Sequence, residues 1–245
     1  MRDIKKLWVV SMVLLLPLSV MAEEDNQGDM VAEGGRLYDK WWEEYDLEKP
    51  TTTHPSYPAR GQQSGAATWR CKECHGWDYR GRQGAYGSGS HYTGIRGISA
   101  YAGRKPELIM AVLKNPLHRF DEVMLDYGLL RVALFVSRGQ VDISRYVDEN
   151  TNKVAGNLRR GQQIYNQSCK ECHGRDGRER NFGDDDKPEY VGTVAVKNPW
   201  EAMHKLRNGQ PGAFVMGDPM PHMNTRISFE QQLDLLAYLQ SLPVK

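Results

Sequence analysis

Apolar residues recur at helical spacing in several short segments of the chain, and residues that start or stop helices bound each segment. Near the C-terminal end, Ser228 and Gln231 form a capping box, and Leu235 and Leu239 then share one helical face until Pro243 stops the helix. Short helices of this kind, separated by loops rich in Gly, Pro and Asn, predict an all-α protein.

The helical segments fall into two units that repeat one order: helix, cysteine motif, loop, helix, loop, helix. In the second unit, residues 157–245, the pattern predicts helices over residues 157–166, over residues 199–207 and after the capping box. The second of these begins at Asn198-Pro199, where Asn is a cap and Pro occupies the first helical turn.

The first unit, residues 23–140, follows the same order with an insertion at residues 43–66, which is rich in Pro, Thr, Gly and Ser and predicts a loop. Pro106 opens a helix that runs to Leu113, and Asp126 is predicted to cap a further helix that Gly139 closes. Residues 141–156 are mostly polar and lack periodicity, so we predict that they link the two units.

The N-terminal segment, residues 1–22, begins with basic residues and continues into an apolar run from Leu7 to Val20. A small residue, Ala22, then precedes the acidic Glu23, which is typical of a secretory signal peptide with cleavage after Ala22. The alternative is an uncleaved membrane anchor, although the run is shorter than the ~20 residues of a bilayer span. The rest of the chain has no apolar stretch that would cross a membrane.

Cleavage changes the charge of the chain only slightly. The full chain has 32 basic and 31 acidic residues, and its mature form would have 29 and 30. A nearly neutral chain argues against nucleic acid or an acidic membrane as the partner.

The two cysteine motifs are identical: Cys71-Lys72-Glu73-Cys74-His75-Gly76 and Cys169-Lys170-Glu171-Cys172-His173-Gly174. Two thiols at this spacing can each bond one vinyl group of a haem, and the following His can then ligate the iron. Zinc binding by the four thiols, or thioredoxin-like redox pairs, would use the same cysteines but would not explain the His in both motifs. We therefore predict two covalently bound haem c groups, with His75 and His173 as iron ligands.

With these motifs and their flanking helices, each unit resembles a class I cytochrome c domain, and the mature chain resembles the tandem di-haem cytochromes c of the bacterial periplasm. In that family the first and last helices cross, with a Gly and an aromatic residue at the contact. The residues that fit this role are Gly34, Tyr38 and Phe135 in the first unit and Gly161, Tyr165 and Tyr238 in the second.

The resemblance also implies a second axial ligand, which is usually a Met in the loop before the last helix. Met220-Pro221 fits this pattern in the second unit, and Met216, Met223 and His222 are the alternatives.

In the first unit, alignment of Phe135 with Tyr238 places His118 in the ligand position. Met124 would then be a core residue at the start of the last helix. Met124 remains the main alternative ligand, followed by His91 and Met110. We expect the other first-unit histidine, His54, to lie at the surface, and the same holds for His204 of the second unit.

If His118 and Met220 are the ligands, a second imidazole lowers the potential of the first haem and a thioether raises that of the second. Electrons would then pass from the first unit to the second. The sequence favours an electron carrier, or an electron-transfer subunit of an oxidoreductase, that exchanges electrons with a donor and an acceptor protein. The alternative is a small di-haem enzyme that acts on peroxide or on sulfur compounds such as thiosulfate.

Overall fold

The computed structural model describes residues 18–212, 217 and 219–245, with side chains from residue 27 onward. The described residues of the first unit form α1 (Leu18–Glu44), α2 (Cys71–His75), α3 (Pro106–Leu113) and α4 (Asp126–Leu134), which continues into a π-helical turn, Phe135–Gly139. Those of the second unit form α5 (Leu158–Ser168), α6 (Lys170–His173), α7 (Val191–Lys197), α8 (Pro199–Asn208) and α9 (Phe229–Leu239). Short 3-10 helices lie at Gly65–Trp69, Ser99–Tyr101, Phe120–Glu122 and Ser144–Tyr146.

These helices agree with the all-α prediction, because the described residues contain isolated β-bridges but no strand. The side chain of Asn198 accepts a hydrogen bond from the Glu201 amide at the start of α8, and the capping box of Ser228 and Gln231 is present at α9. Asp126 differs from the prediction: it is the first residue of α4 rather than its cap, and its carboxylate pairs with Lys114 at 2.7 Å.

In the first unit, α1 crosses α4 at a glycine. A Cβ atom on Gly34 would lie 2.0 Å from the carbonyl oxygen of Arg131 and 2.8 Å from the Cβ of Phe135, so only glycine allows this approach. The ring of Tyr38, one helical turn further on, packs against Phe135 with a centroid distance of 5.2 Å.

In the second unit, α5 crosses α9 in the same way. A Cβ on Gly161 would lie 2.1 Å from the carbonyl oxygen of Asp234 and 2.8 Å from the Cβ of Tyr238. Tyr165 and Tyr238 have a centroid distance of 5.4 Å. The glycine and aromatic contacts expected from the resemblance are thus present in both units.

Each unit has its own apolar core. In the first, Trp41 and Trp42 of α1 are buried with residues of α3 and α4. The second core extends beyond the predicted unit, because Ile143, Val147 and Val154 are buried in it. The segment predicted as a polar link therefore packs on the second unit, and its few apolar residues provide the contact.

The two units also share a buried polar contact between α1 and α8. Asp39 of α1 is fully buried and forms ion pairs with Arg70 and with Lys205 of α8. Burial alone would raise the pKa of Asp39, but Lys205 and Arg70 hold it well below its usual range. Arg36 adds a hydrogen bond to the Asn208 carbonyl at 2.9 Å. These contacts fix α8 against the first unit.

None of the helices in the described part of the chain is both long and apolar enough to span a membrane. Most of the predicted signal segment, residues 1–17, lies outside the described residues, and α1 begins at Leu18. Cleavage after Ala22 therefore stays a prediction.

Candidate haem sites

The first cysteine motif forms a single helical turn, α2. The thiols of Cys71 and Cys74 are free and half-buried, and their removal from water raises the pKa of each to about 12. Gly76 ends the turn with φ 78°, and its carbonyl oxygen accepts a hydrogen bond from the Tyr38 hydroxyl at 2.7 Å. Two thiols on one helical turn are placed as the two thioether bonds to a covalently attached haem require.

His75 is oriented by the backbone of the following loop. Its Nδ1 lies 2.9 Å from the Arg96 carbonyl oxygen and donates to it, which leaves Nε2 as the ring's acceptor. Burial lowers the pKa of His75 to about 4, so the ring is neutral at neutral pH. A neutral imidazole with its Nδ1 proton held in this way is the form that binds iron.

His118 lies opposite His75. The two ring centroids are 6.3 Å apart and the ring planes differ by 21°. Two nitrogen-to-metal bonds of about 2 Å each and a further ~1 Å from each nitrogen to its ring centre add up to roughly this separation. The Nδ1 of His118 is 3.1 Å from Asn115 Oδ1, and burial lowers the pKa of the ring. The separation of the two rings is therefore the one that a single iron between two imidazoles would require.

His54 is one of two histidines whose position the sequence interpretation missed. It was expected at the surface, but it is only 8% exposed and its ring packs on Trp69 with a centroid distance of 4.4 Å. Its Nδ1 accepts from the Ser56 amide, so Nε2 carries the proton and donates to the His118 carbonyl at 3.0 Å. The inserted loop thus holds the backbone of His118.

The alternative ligands of the first unit have other contacts. Met124 is buried in the first core, where its sulfur would lie 3.0 Å from a Cβ on Gly128, as expected if it is a core residue. The Nδ1 of His91 lies 3.0 Å from a carboxylate oxygen of the buried Glu73, and its ring stacks on Tyr86. Met110 is partly buried against the first core.

The second motif repeats the local geometry of the first. Gly174 follows α6 with φ 79°, and its carbonyl accepts from the Tyr165 hydroxyl at 2.7 Å. Cys169 and Cys172 are free thiols, and burial raises the pKa of Cys169 to about 11. The ring of His173 lies 6.0 Å, centroid to centroid, from that of the exposed Phe182.

Met220 lies half-buried in the loop between α8 and α9, and its carbonyl oxygen packs against Gly209 at the end of α8. Of the alternatives to it, Met223 is buried in the second core. His222 is engaged at both ring nitrogens, with Asn224 at 2.5 Å and Asp29 at 2.7 Å. Met216 falls outside the described residues.

The expectation for His204 was wrong. It is 2% exposed rather than a surface residue, because α8 inserts it between the rings of the first unit. Its Nε2 donates to the Gly35 carbonyl at 2.9 Å, and its Nδ1 accepts from the Tyr79 hydroxyl at 3.1 Å. Burial lowers the pKa of His204 to about 3. A second-unit histidine thus packs against Trp77, which lies two residues along the chain from the first haem motif's His75.

Residues 156–239 match the profile of the family described as "Cytochrome C oxidase, cbb3-type, subunit III". The match covers most of the second unit and leaves the first unit outside it. No curated protein and no solved structure matches the chain. The match supports a cytochrome c domain in the second unit, and such a domain binds haem c covalently and has redox partners.

Proposed function

We propose that this protein is a di-haem c-type cytochrome that transfers electrons between a donor and an acceptor protein in the bacterial periplasm. It acts as a carrier or as the electron-transfer subunit of a periplasmic or membrane oxidoreductase. Each unit binds one haem c, through Cys71 and Cys74 in the first and through Cys169 and Cys172 in the second.

The repeated motif geometry carries this proposal. The second unit matches a cytochrome c profile, and the first unit reproduces its motif contacts although the profile does not extend to it. In both units a Tyr hydroxyl from the first helix donates to the glycine after the motif at 2.7 Å. In both units that helix crosses the last helix at a glycine. Two units with the same supports for the same motif are expected to hold the same group.

The bound haems supply a reversible one-electron change at iron. Residues of the chain orient the proposed iron ligands of the first unit. The Arg96 carbonyl orients His75, and His54 and Asn115 orient His118. We propose His75 and His118 as the axial ligands of the first haem, and His173 and Met220 as those of the second. Two imidazoles favour a lower potential than one imidazole and one thioether, so electrons pass from the first unit to the second.

The proposed haem content and export are tested by intact-mass measurement on protein purified from the periplasm. We expect a chain that starts at Glu23 and carries two haems. A mass that corresponds to one haem would contradict the di-haem proposal, and a chain that retains Met1 would contradict cleavage.

Carrier function is tested by stopped-flow mixing of the fully reduced and the fully oxidised protein with peroxide, thiosulfate or tetrathionate. With two protein ligands on each iron, we expect fast electron exchange with small redox partners and no steady turnover of any of the three. Catalytic consumption of any of them would support the di-haem enzyme instead.

A further inference from the structure

Arg207, in the last turn of α8, carries a guanidinium group that is largely buried at the junction of the two units. Its Nη1 donates to the neutral side chain of Gln232 at 2.6 Å. Its Nε is buried and has no hydrogen-bond partner among the described residues. Burial lowers the pKa of Arg207, whereas the nearby Tyr79 raises it.

A buried guanidinium without an anionic partner destabilises the folded protein, because the charge has lost its contact with water and no opposite charge compensates for it. Within the part of the chain that the structure describes, Arg207 forms no ion pair with a carboxylate. Its neighbour Lys205 forms one with Asp39, so α8 pairs one buried cation and not the other.

A cavity of about 250 Å³ opens beside this guanidinium, lined by Gln27, Gly28, Val31, Arg138, Arg207 and Asn224. The residues that line it include two arginines, one glutamine and one asparagine, and none of them is acidic. The carboxylate next along the chain, Asp29, is held by the Nε2 of His222 at 2.7 Å. Arg138 is exposed near the end of the π-helical turn and lines the cavity from the first unit, whereas Arg207 lines it from the second.

We propose that this cavity binds a small oxyanion between Arg138 and Arg207. Guanidinium groups form short, charge-assisted pairs with phosphate, sulfate and carboxylate oxygens. An anion here supplies the missing counter-charge of Arg207 and joins α1 and the π-helical turn of the first unit to α8 of the second. The proposal does not depend on electron transfer.

The test uses the purified holoprotein with both haems. Its melting temperature is measured at constant ionic strength while chloride is replaced by phosphate, sulfate or acetate, and calorimetric titration with the same anions gives the affinity. An anion that binds the folded state raises the melting temperature in a saturable way. We expect saturable stabilisation by at least one of the three.

Arg138→Gln is the main variant, because the exposed Arg138 can be replaced without disturbing the core. We expect this variant to bind roughly tenfold more weakly, since a charge-assisted contact is lost. Arg159→Gln, which removes an exposed charge on α5, is the matched control and should bind like the wild type. Arg207→Gln should abolish binding, and its far-ultraviolet spectrum shows whether it is folded.

Equal melting temperatures in all four anions would overturn the proposal. Equal anion binding by Arg138→Gln and the wild type would overturn it too, because the stabilisation would then arise elsewhere.

Discussion

The imidazole rings of His75 and His118 lie 6.3 Å apart, centroid to centroid, with their planes 21° from parallel. His75 ends α2, whereas His118 lies in the turn that follows α3, so local sequence does not impose this relationship. Each ring uses Nδ1 for a contact with a neighbouring oxygen, the Arg96 carbonyl for His75 and Asn115 Oδ1 for His118. The two rings therefore have the separation that the proposed pair of axial ligands requires.

Replacement of His118 by Ala should open the first iron and leave the second unchanged. We expect the ferric protein to acquire a high-spin signal in its paramagnetic resonance spectrum, and the reduced protein to bind one carbon monoxide at once. Met124→Leu is the control, because a swap of this kind in a core changes little. If Met124→Leu instead opened the haem, Met124 would be the ligand and the alignment that selects His118 would be wrong.

His54 should act on the first haem only through His118. His54→Ala removes the proton donor to the His118 carbonyl and should speed the binding of carbon monoxide to the reduced first haem. His54→Gln retains a side-chain donor and should restore slow binding. If the role of His54 were purely structural, both variants would have a lower melting temperature, but they would bind carbon monoxide at the same rate.

Met220→Ala should remove the near-infrared band of the ferric protein that arises from a bond between Met and iron. We expect one such band in the wild type, and His118→Ala should retain it. Met223→Leu, a change at a buried neighbour in the same loop, is the control and should also retain it. Two bands in the wild type would mean that the first haem also has a Met ligand.

The resemblance to class I cytochrome c domains predicted the helix crossings, and local spacing predicted only which residues of one helix share a face. A Gly and an aromatic residue one helical turn apart appear in both units, and this spacing brings them to the same face of a helix. The bounds of α3 and the capping box of α9 were predictable for the same reason, since the signals lie within a few residues.

The two histidines that were predicted incorrectly are those buried by distant partners. His54 bonds to the carbonyl of His118, 64 residues away, and His204 bonds to that of Gly35, 169 residues away. No pattern near either residue indicates these partners, because tertiary packing creates them. The sequence of α8 has polar residues on several faces, as a solvent-exposed helix does. The contact with the first unit, which buries His204, is not visible in that sequence.

Gly34→Ala and Gly161→Ala should each destabilise the protein strongly, because the new Cβ would lie about 2 Å from a backbone oxygen of the crossing helix. We expect a loss of about 3 kcal/mol or more in the free energy of unfolding, since overpacking alone costs 1–3 kcal/mol. Gly89→Ala is the control: its φ is 77° but nothing lies within 4 Å, so only the backbone cost of about 1 kcal/mol applies. Losses no larger than that of Gly89→Ala would show that the helices can move apart.

His204 should make the contact between the two units sensitive to acid. The pKa of its ring is lowered by burial from 6.5 to about 3 in the folded protein. Between these values the unfolded chain binds a proton at this position and the folded protein does not. The free energy of unfolding therefore falls as the pH drops below 6.5, by up to about 1.4 kcal/mol per pH unit.

This loss is best measured by denaturant unfolding of the holoprotein between pH 6.5 and 4.5. Asp39 interferes little there, because an aspartate carboxyl has an ordinary pKa of 3.8 and the ion pairs of Asp39 lower its pKa further in the folded protein. His204→Gln keeps one donor and one acceptor for Gly35 and Tyr79 but does not titrate, so its advantage over the wild type should grow as the pH falls. We expect the difference to change by roughly 2 kcal/mol over this range. Parallel curves for the two proteins would mean that His204 takes up its proton without leaving the interface.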